Sequence, residues 1–128
     1  MMNLARRITY MVDDSMPELG NISAQVSIFD RIEDRPTHLG GITLQKQYSR
    51  YGSLPINFKR LPGCEDFEGR VSAIVNCDSS KLKIPITTNT FVQNLAYDQY
   101  VAGAYRILDT VIKAEQERAE IRLVESVR

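Results

Sequence analysis

The segment from Leu54 to Val75, LPINFKRLPGCEDFEGRVSAIV, joins two runs of alternating apolar residues through a loop rich in turn-forming residues. In the first run Ile56 and Phe58 share one face. The second run repeats this pattern through Val71, Ala73 and Val75. Because successive side chains of a strand point to opposite faces of its sheet, both runs are predicted as half-buried strands. The segment thus predicts a small antiparallel β domain and indicates no chemistry.

Period-two patterns recur before and after this segment, and they are clearest where Ile22, Ala24, Val26 and Ile28 alternate with polar residues. Six strands are predicted in all: Arg7–Val12, Ile22–Phe29, Ile42–Tyr48, Leu54–Leu61, Arg70–Asn76 and Lys81–Thr87. Asp13–Asn21, with Pro17 and Gly20, is predicted as a linker, and Ser49–Ser53, with Gly52, as a turn.

Prolines interrupt two of the predicted strands, at Pro55 and Pro85. Proline donates no ladder hydrogen bond, so both strands are expected at sheet edges, which fits a two-sheet sandwich better than a closed barrel. Either the prolines protect these edges from aggregation, or one edge accepts a strand from a partner. The second alternative makes a set of residues around the prolines candidates for partner binding: Pro55, Ile56, Phe58, Lys83, Ile84, Pro85 and Ile86.

The pattern changes to helical spacing after Phe91. Apolar residues recur along one stripe of Leu95–Ala119, with Asn94 as the expected N-cap and Asp98 in the first turn. The tail Glu120–Arg128 fits either a continued helix, which is favoured, or a short strand. The stripe is expected to pack on the β domain, and the alternative is that it binds a partner or a second copy.

Composition excludes several classes of function. The 128 residues include 16 Lys or Arg and 16 Asp or Glu, so the formal net charge is zero. This balance argues against an electrostatic nucleic-acid footprint and against attraction to anionic membranes. No apolar run approaches the roughly 20 residues of a membrane-spanning helix, and the start of the chain, MMNLARRITYMVDD, shows no secretory signal.

Few residues suggest chemistry. His38 is the single histidine and has no evident catalytic partner, so no enzyme, metal site or cofactor is expected. Cys64 and Cys77 lack the spacing of a zinc site. An extended strand between them would hold them too far apart for bonding, which favours two free thiols over a Cys64–Cys77 disulfide.

The order of these segments resembles the YscW-type family, the lipoprotein chaperones or pilots of type III secretion, together with the related YbaY-like envelope lipoproteins. The resemblance covers roughly residues 6–92. It rests on a strand ending in V-S-hydrophobic-hydrophobic-D at Val26–Asp30, an LPI-x-F step at Leu54–Phe58 and a V-x-A-x-V strand at Val71–Val75. A final hydrophobic run ends near Thr87–Val92.

The resemblance implies a β-sandwich without enzymatic activity. It further implies an acylated protein that binds the C-terminal segment of a secretin subunit and assists its targeting to the outer membrane and its assembly. Family members carry a lipidated cysteine in a leader, whereas no cysteine precedes Arg7 here. The expected location is therefore the periplasmic face of the outer membrane if a leader has been removed, and the cytoplasm otherwise.

These observations predict a mainly β, α+β fold: an antiparallel sandwich of six to seven strands over residues 1–93, followed by a long amphipathic helix over 94–128 that packs on the same domain. The predicted function is that of a non-catalytic secretin pilot. The alternatives are a general binding module that self-associates through the helix, as a homodimer, and a small hydrolase or sugar-binding sandwich with a polar pocket.

Overall fold

A computed structural model of the chain describes the backbone of residues 7–30 and 41–127, and the side chains of residues 8–30 and 41–118. The predictions on His38 and on the loop before it lie outside the described residues. The elements are β1 (Arg7–Met16), β2 (Gly20–Phe29), β3 (Gly41–Lys46), β4 (Ser49–Leu54), β5 (Val71–Cys77) and α1 (Leu95–Val127).

The strands form one mixed sheet in the order β1-β2-β5-β3-β4. All neighbours are antiparallel except β3 and β5, which run parallel. The prediction of a mainly β, α+β fold is confirmed. The sandwich of six to seven strands is not confirmed, because the described residues form five strands in a single sheet. A purely antiparallel arrangement is wrong, because β5 inserts between β2 and β3.

The predicted strand Leu54–Leu61 is wrong. After Leu54 the chain leaves the sheet and forms two short 3-10 helices, Phe58–Arg60 and Glu65–Phe67. The buried side chains of this connection follow each other every three residues: Phe58, Leu61, Cys64 and Phe67. Side chains at i and i+3 align in a 3-10 helix, so this period of three replaces the period of two inferred from Ile56 and Phe58. We call residues 55–70 the strap.

The predicted strand Lys81–Thr87 is also wrong, because these residues form turns and irregular backbone. Its three alternating apolar side chains do not share an environment. Leu82 is buried, Ile84 is partly buried, and Ile86 is 98% exposed. Pro85 offers no N–H to a ladder, and its carbonyl accepts a local bond from the Asn89 N–H at 2.9 Å.

The turn predicted at Ser49–Ser53 is wrong, because those residues form β4. The reversal lies one step earlier, at Gln47 and Tyr48, whose φ angles are 52° and 62°. Two positive φ angles suit a tight hairpin turn. Side chains at the end of β5 stabilise it: Asp78 Oδ1 accepts from the Gln47 N–H at 2.6 Å, and Asn76 Oδ1 accepts from the Tyr48 N–H at 2.8 Å.

The predicted helix is confirmed and continues to Val127. Asn94 Oδ1 accepts from the Tyr97 N–H at 2.9 Å, as an N-cap does. The apolar stripe of α1 packs on one face of the sheet and shares a single core with it, through residues that include Tyr100, Ala104, Leu108 and Ile112. The other face of the sheet carries mostly polar side chains.

Candidate functional site

The two edges of the sheet are β1 and β4. Within the described ranges, β4 pairs only with β3 and β1 pairs only with β2. The prediction that the segments around Pro55 and Pro85 form edge strands is therefore wrong, because neither proline lies in a strand. An edge strand presents unpaired backbone N–H and C=O groups, so it is a template for an added strand. Two grooves border β4, and both are larger than the depression that β1 helps to line.

The first groove, which we call the proline groove, has a volume of ≈470 Å³ at the end of β4. Three of the predicted partner-binding residues, Pro55, Ile56 and Phe58, line it together with Leu54. Pro55 is exposed, Ile56 is half-buried, and Phe58 is anchored in the core. The groove thus offers an apolar surface with a rigid floor.

The second groove, which we call the aromatic groove, has a volume of ≈490 Å³ and follows β4 from Arg50 to Leu54. Its wall is formed by Tyr51, Phe91 and Tyr97. The Phe91 ring lies 6.0 Å from the Tyr51 ring and 6.2 Å from the Tyr97 ring, centroid to centroid. Ser53 and Leu54 line both grooves, which therefore adjoin along the same strand.

Tyr105 and Gln116 of α1 hold the strap beside these grooves. The Tyr105 hydroxyl accepts from the Asn57 N–H at 2.8 Å, and the Arg60 guanidinium lies 4.0 Å from the centre of the Tyr105 ring. Further along the helix, Gln116 Nε2 donates to the Gly63 carbonyl at 2.8 Å. These bonds fix an irregular backbone segment that has no sheet partner, and so position Pro55 and Ile56.

A second tyrosine, Tyr100, supports the sheet at β3, the strand that pairs with β4. A bulge between Leu44 and Gln45 breaks the β3–β4 register. The Tyr100 hydroxyl accepts from the Gln45 N–H at 3.1 Å and is within bonding reach of the carbonyls of Gln45 and Val75. Burial raises the pKa of Tyr100 well above its usual value. The hydroxyl thus satisfies backbone groups that the bulge leaves without ladder partners.

The structure does not bring the two predicted sets of partner-binding residues together. Lys83 lines a separate groove near the start of α1, with Lys81 and Leu95. Ile84 packs against the core. Pro85 and Ile86 lie in the turns that follow, with Ile86 fully outside the core. Only the set around Pro55 borders a sheet edge.

Sequence reasoning missed β4 and the aromatic groove. Tyr51 falls in the segment predicted as a turn. Phe91 and Tyr97 adjoin or belong to the helix stripe, which is predicted to pack on the β domain or, alternatively, to bind a partner or a second copy. The one usable signal was the spacing of Phe91, Tyr97 and Tyr100, which form one aromatic cluster with Tyr51. That signal does not specify a groove, because it is equally typical of a helix docking on a sheet.

Both cysteines are free and buried in the structure. Burial raises the pKa of the Cys64 thiol and that of the Cys77 thiol, so both thiols are held in the less reactive protonated form. Cys64 Sγ lies 4.0 Å from Asp109 Oδ1, and Cys77 Sγ lies 4.0 Å from the Leu19 carbonyl oxygen. Each thiol therefore acts as a small core residue.

Among residues 7–30 and 41–127, no cluster of three His, Cys, Asp or Glu side chains is arranged to hold a metal ion. Over the same ranges, no helix has both the length and the apolar character that a bilayer crossing requires.

Comparisons with known proteins provide no relative for this chain. No protein-family model matches it. Searches of curated proteins and of solved structures likewise found no significant match.

Proposed function

We propose that this protein is a non-catalytic binding module that accepts an extended segment of a partner polypeptide along β4. The observation that carries the proposal is the coincidence of an edge strand with two adjoining grooves. In strand addition, main-chain hydrogen bonds supply affinity, and pockets for alternate side chains supply specificity. The unpaired edge of β4 and its two grooves match these two requirements.

The length of β4 indicates how long the bound segment would be. β4 has six residues, from Ser49 to Leu54, and spans about 20 Å. A segment of about six to eight residues would cover it, with an apolar or aromatic side chain in the aromatic groove. A second apolar side chain, further along, would enter the proline groove against Ile56. Arg50 is exposed at the far end of β4, where it favours an acidic residue in the ligand.

By resemblance, the partner is the C-terminal segment of a secretin subunit of a type III secretion system, and binding assists its outer-membrane targeting and assembly. A disordered tail that becomes ordered as an added strand fits the geometry of β4. In this proposal the protein acts as an outer-membrane lipoprotein chaperone, anchored by an N-terminal lipid.

Self-association through the helix stripe has less support. The stripe residues Tyr100, Leu108 and Ile112 are fully buried against the sheet of the same chain. A second copy could use them only if α1 left its own sheet, which would expose the core.

Titration calorimetry with a synthetic secretin C-terminal peptide tests the proposal, and Gly52→Leu is the decisive variant. A Cβ at Gly52 would make ordinary contacts, 3.8 Å from Leu44 Cδ1 and 3.9 Å from Phe91 Cδ2. A leucine side chain there should extend from this Cβ into the aromatic groove, and circular dichroism checks that the variant stays folded. We expect the folded wild-type protein to bind and Gly52→Leu to bind at least about tenfold more weakly.

Ala114→Leu is the matched control, since Ala114 is exposed on α1 away from both grooves. It should bind like the wild type. Equal binding by Gly52→Leu would show that the site is not at β4. Absence of binding by the folded wild-type protein would reject the secretin partner.

A further inference from the structure

The sheet face opposite α1 is a nearly uncharged surface, which we call the polar face. The strand registers align its side chains in rows across the sheet. One row runs Asp13, Ser23, Asn76, Gln45, Arg50; the next runs Met11, Gln25, Ile74, Thr43, Ser53; the third runs Thr9, Ser27, Ser72, Gly41. Asn76 and Ser27 are buried within the chain, as is Phe29, which follows Ser27 on the same face of β2. Arg50 Nη2 lies 3.3 Å from Ser53 Oγ, and the pairing of Arg50 with Gln45 and of Ser53 with Thr43 assigns both residues to this face.

Charge on the polar face is confined to its margins. The three inner strands β2, β5 and β3 contribute no charged residue to these rows. Asp13 on β1 and Arg50 on β4 stand at opposite ends of a single row. Depletion of charge in the middle of a patch, with charges at the rim, is one feature of protein–protein interfaces.

The polar face also carries exposed apolar groups. Met11 is 76% exposed and Tyr48 is 73% exposed. Both line a shallow depression of ≈140 Å³ that includes Ile74 and Gln25. The buried side chains of the strap and of α1 belong to the core on the opposite face, together with Ile22, Val26 and Val75 of the sheet. Nothing among the described residues therefore occupies the depression.

We propose that the polar face binds a second copy of this chain, in a symmetric face-to-face dimer. A two-fold axis parallel to the strands lays β1 of one copy over β4 of the other. Asp13 then faces Arg50 of the second copy, and Arg50 faces its Asp13, so the same ion pair forms twice. The zero net charge of the chain adds no long-range repulsion between copies.

The area predicts a weak dimer. Five strands spaced about 4.8 Å apart and three rows spaced about 6.7 Å apart give an upper limit of roughly 480 Å² per copy for the footprint, since Ser27 and Asn76 are already buried within the chain. Stable complexes bury about 800 Å² per partner. We therefore expect a dissociation constant of about 10–100 μM, with hydrogen bonds among Ser, Thr and Gln side chains and bridging water in the interface.

Sedimentation velocity of the full chain from about 1 μM to about 1 mM, one decade on either side of the expected range of the dissociation constant, tests the proposal. Ile74 occupies the central strand of the middle row, next to the axis. Ile74→Lys should abolish the dimer because it places two ammonium groups together at the centre of the interface. Asp13→Arg and Arg50→Asp should each weaken the dimer about tenfold.

The double variant Asp13→Arg/Arg50→Asp should restore wild-type association, because the ion pairs re-form with reversed polarity. Ala114→Arg, on the outer surface of α1, serves as the control and should not change association. Circular dichroism checks that each variant is folded. A wild-type protein that remains monomeric at 1 mM, a dimer unaffected by Ile74→Lys, or a double variant that stays weak would each overturn the proposal.

Discussion

Gly41 shows how one residue fixes the junction between β3 and the proline groove. Its φ angle is +86°, and a Cβ placed on it would lie 2.5 Å from the Leu54 carbonyl oxygen. Gly41→Ala is therefore both conformationally strained and sterically blocked, and it should lower the free energy of unfolding by about 1–3 kcal/mol. Gly52→Ala, which meets neither obstacle, should change it by less than about 1 kcal/mol. Urea denaturation of both variants measures the contrast, and equal losses would contradict it.

Tyr100 links the helix to the bulged backbone at Gln45. Tyr100→Phe leaves the Gln45 N–H without its partner and should cost about 1–3 kcal/mol of unfolding free energy. The variant also tests a pH effect. Since the pKa of Tyr100 is raised in the folded state, the unfolded state loses the proton first as pH rises.

This contribution of Tyr100 to stability is complete below its ordinary pKa of 10.0 and declines above it. Denaturation midpoints measured from pH 8 to 11, a window chosen to span the usual tyrosine pKa of about 10, should fall less steeply for Tyr100→Phe than for the wild type. Parallel curves would show that Tyr100 does not contribute to the alkaline loss.

At the scale of elements, α1 is the surface on which the sheet and the strap assemble. Leu108 is fully buried in the stripe, so Leu108→Ala should destabilise the protein by about 2–5 kcal/mol. Thr110→Ala, on the exposed side of the same helix, should stay within about 0.5 kcal/mol of the wild type. Thermal unfolding followed by circular dichroism compares the two, and a tolerated Leu108→Ala would show that helix packing contributes little.

Elements with strong local periodicity could be predicted from sequence. β2 alternates cleanly, β5 repeats V-x-A-x-V, and α1 keeps its apolar stripe over many turns. β4 could not be predicted, since its sequence SRYGSL has no alternation and Gly52 imitates a turn. The strap sequence contains both a period of two, at Ile56 and Phe58, and a period of three. Bonds from Tyr105 and Gln116 hold the strap in the conformation with the period of three.

For the same reason, only part of the candidate site could be predicted from the sequence. Pro55, Ile56 and Phe58 are close in sequence, and they line one groove. The neighbouring aromatic groove is assembled from Tyr51 and Phe91, forty positions apart. The insertion of β5 between β2 and β3 is likewise a long-range pairing, which local propensity does not encode.

At the scale of the whole molecule, the two proposed interaction surfaces meet at β4, where Arg50 and Ser53 belong to both. The grooves lie at the β4 edge, whereas the centre of the polar face lies at Ile74 on β5. Ile74 lines neither groove, so a substitution there should separate dimer formation from peptide binding. The monomeric Ile74→Lys variant should bind the peptide within about twofold of the wild-type affinity, since distant sites behave additively. A large loss in calorimetry would indicate that binding requires the dimer.

The most direct test of the β4 proposal is an NMR titration of the isotope-labelled protein with the secretin peptide, followed by amide hydrogen exchange. Strand addition predicts that amides of Ser49–Leu54 shift and gain protection from exchange, while those of Arg7–Met16 on the opposite edge do not. Shifts confined to β1, to α1 or to the turns around Ile86, with β4 amides unchanged, would contradict the account.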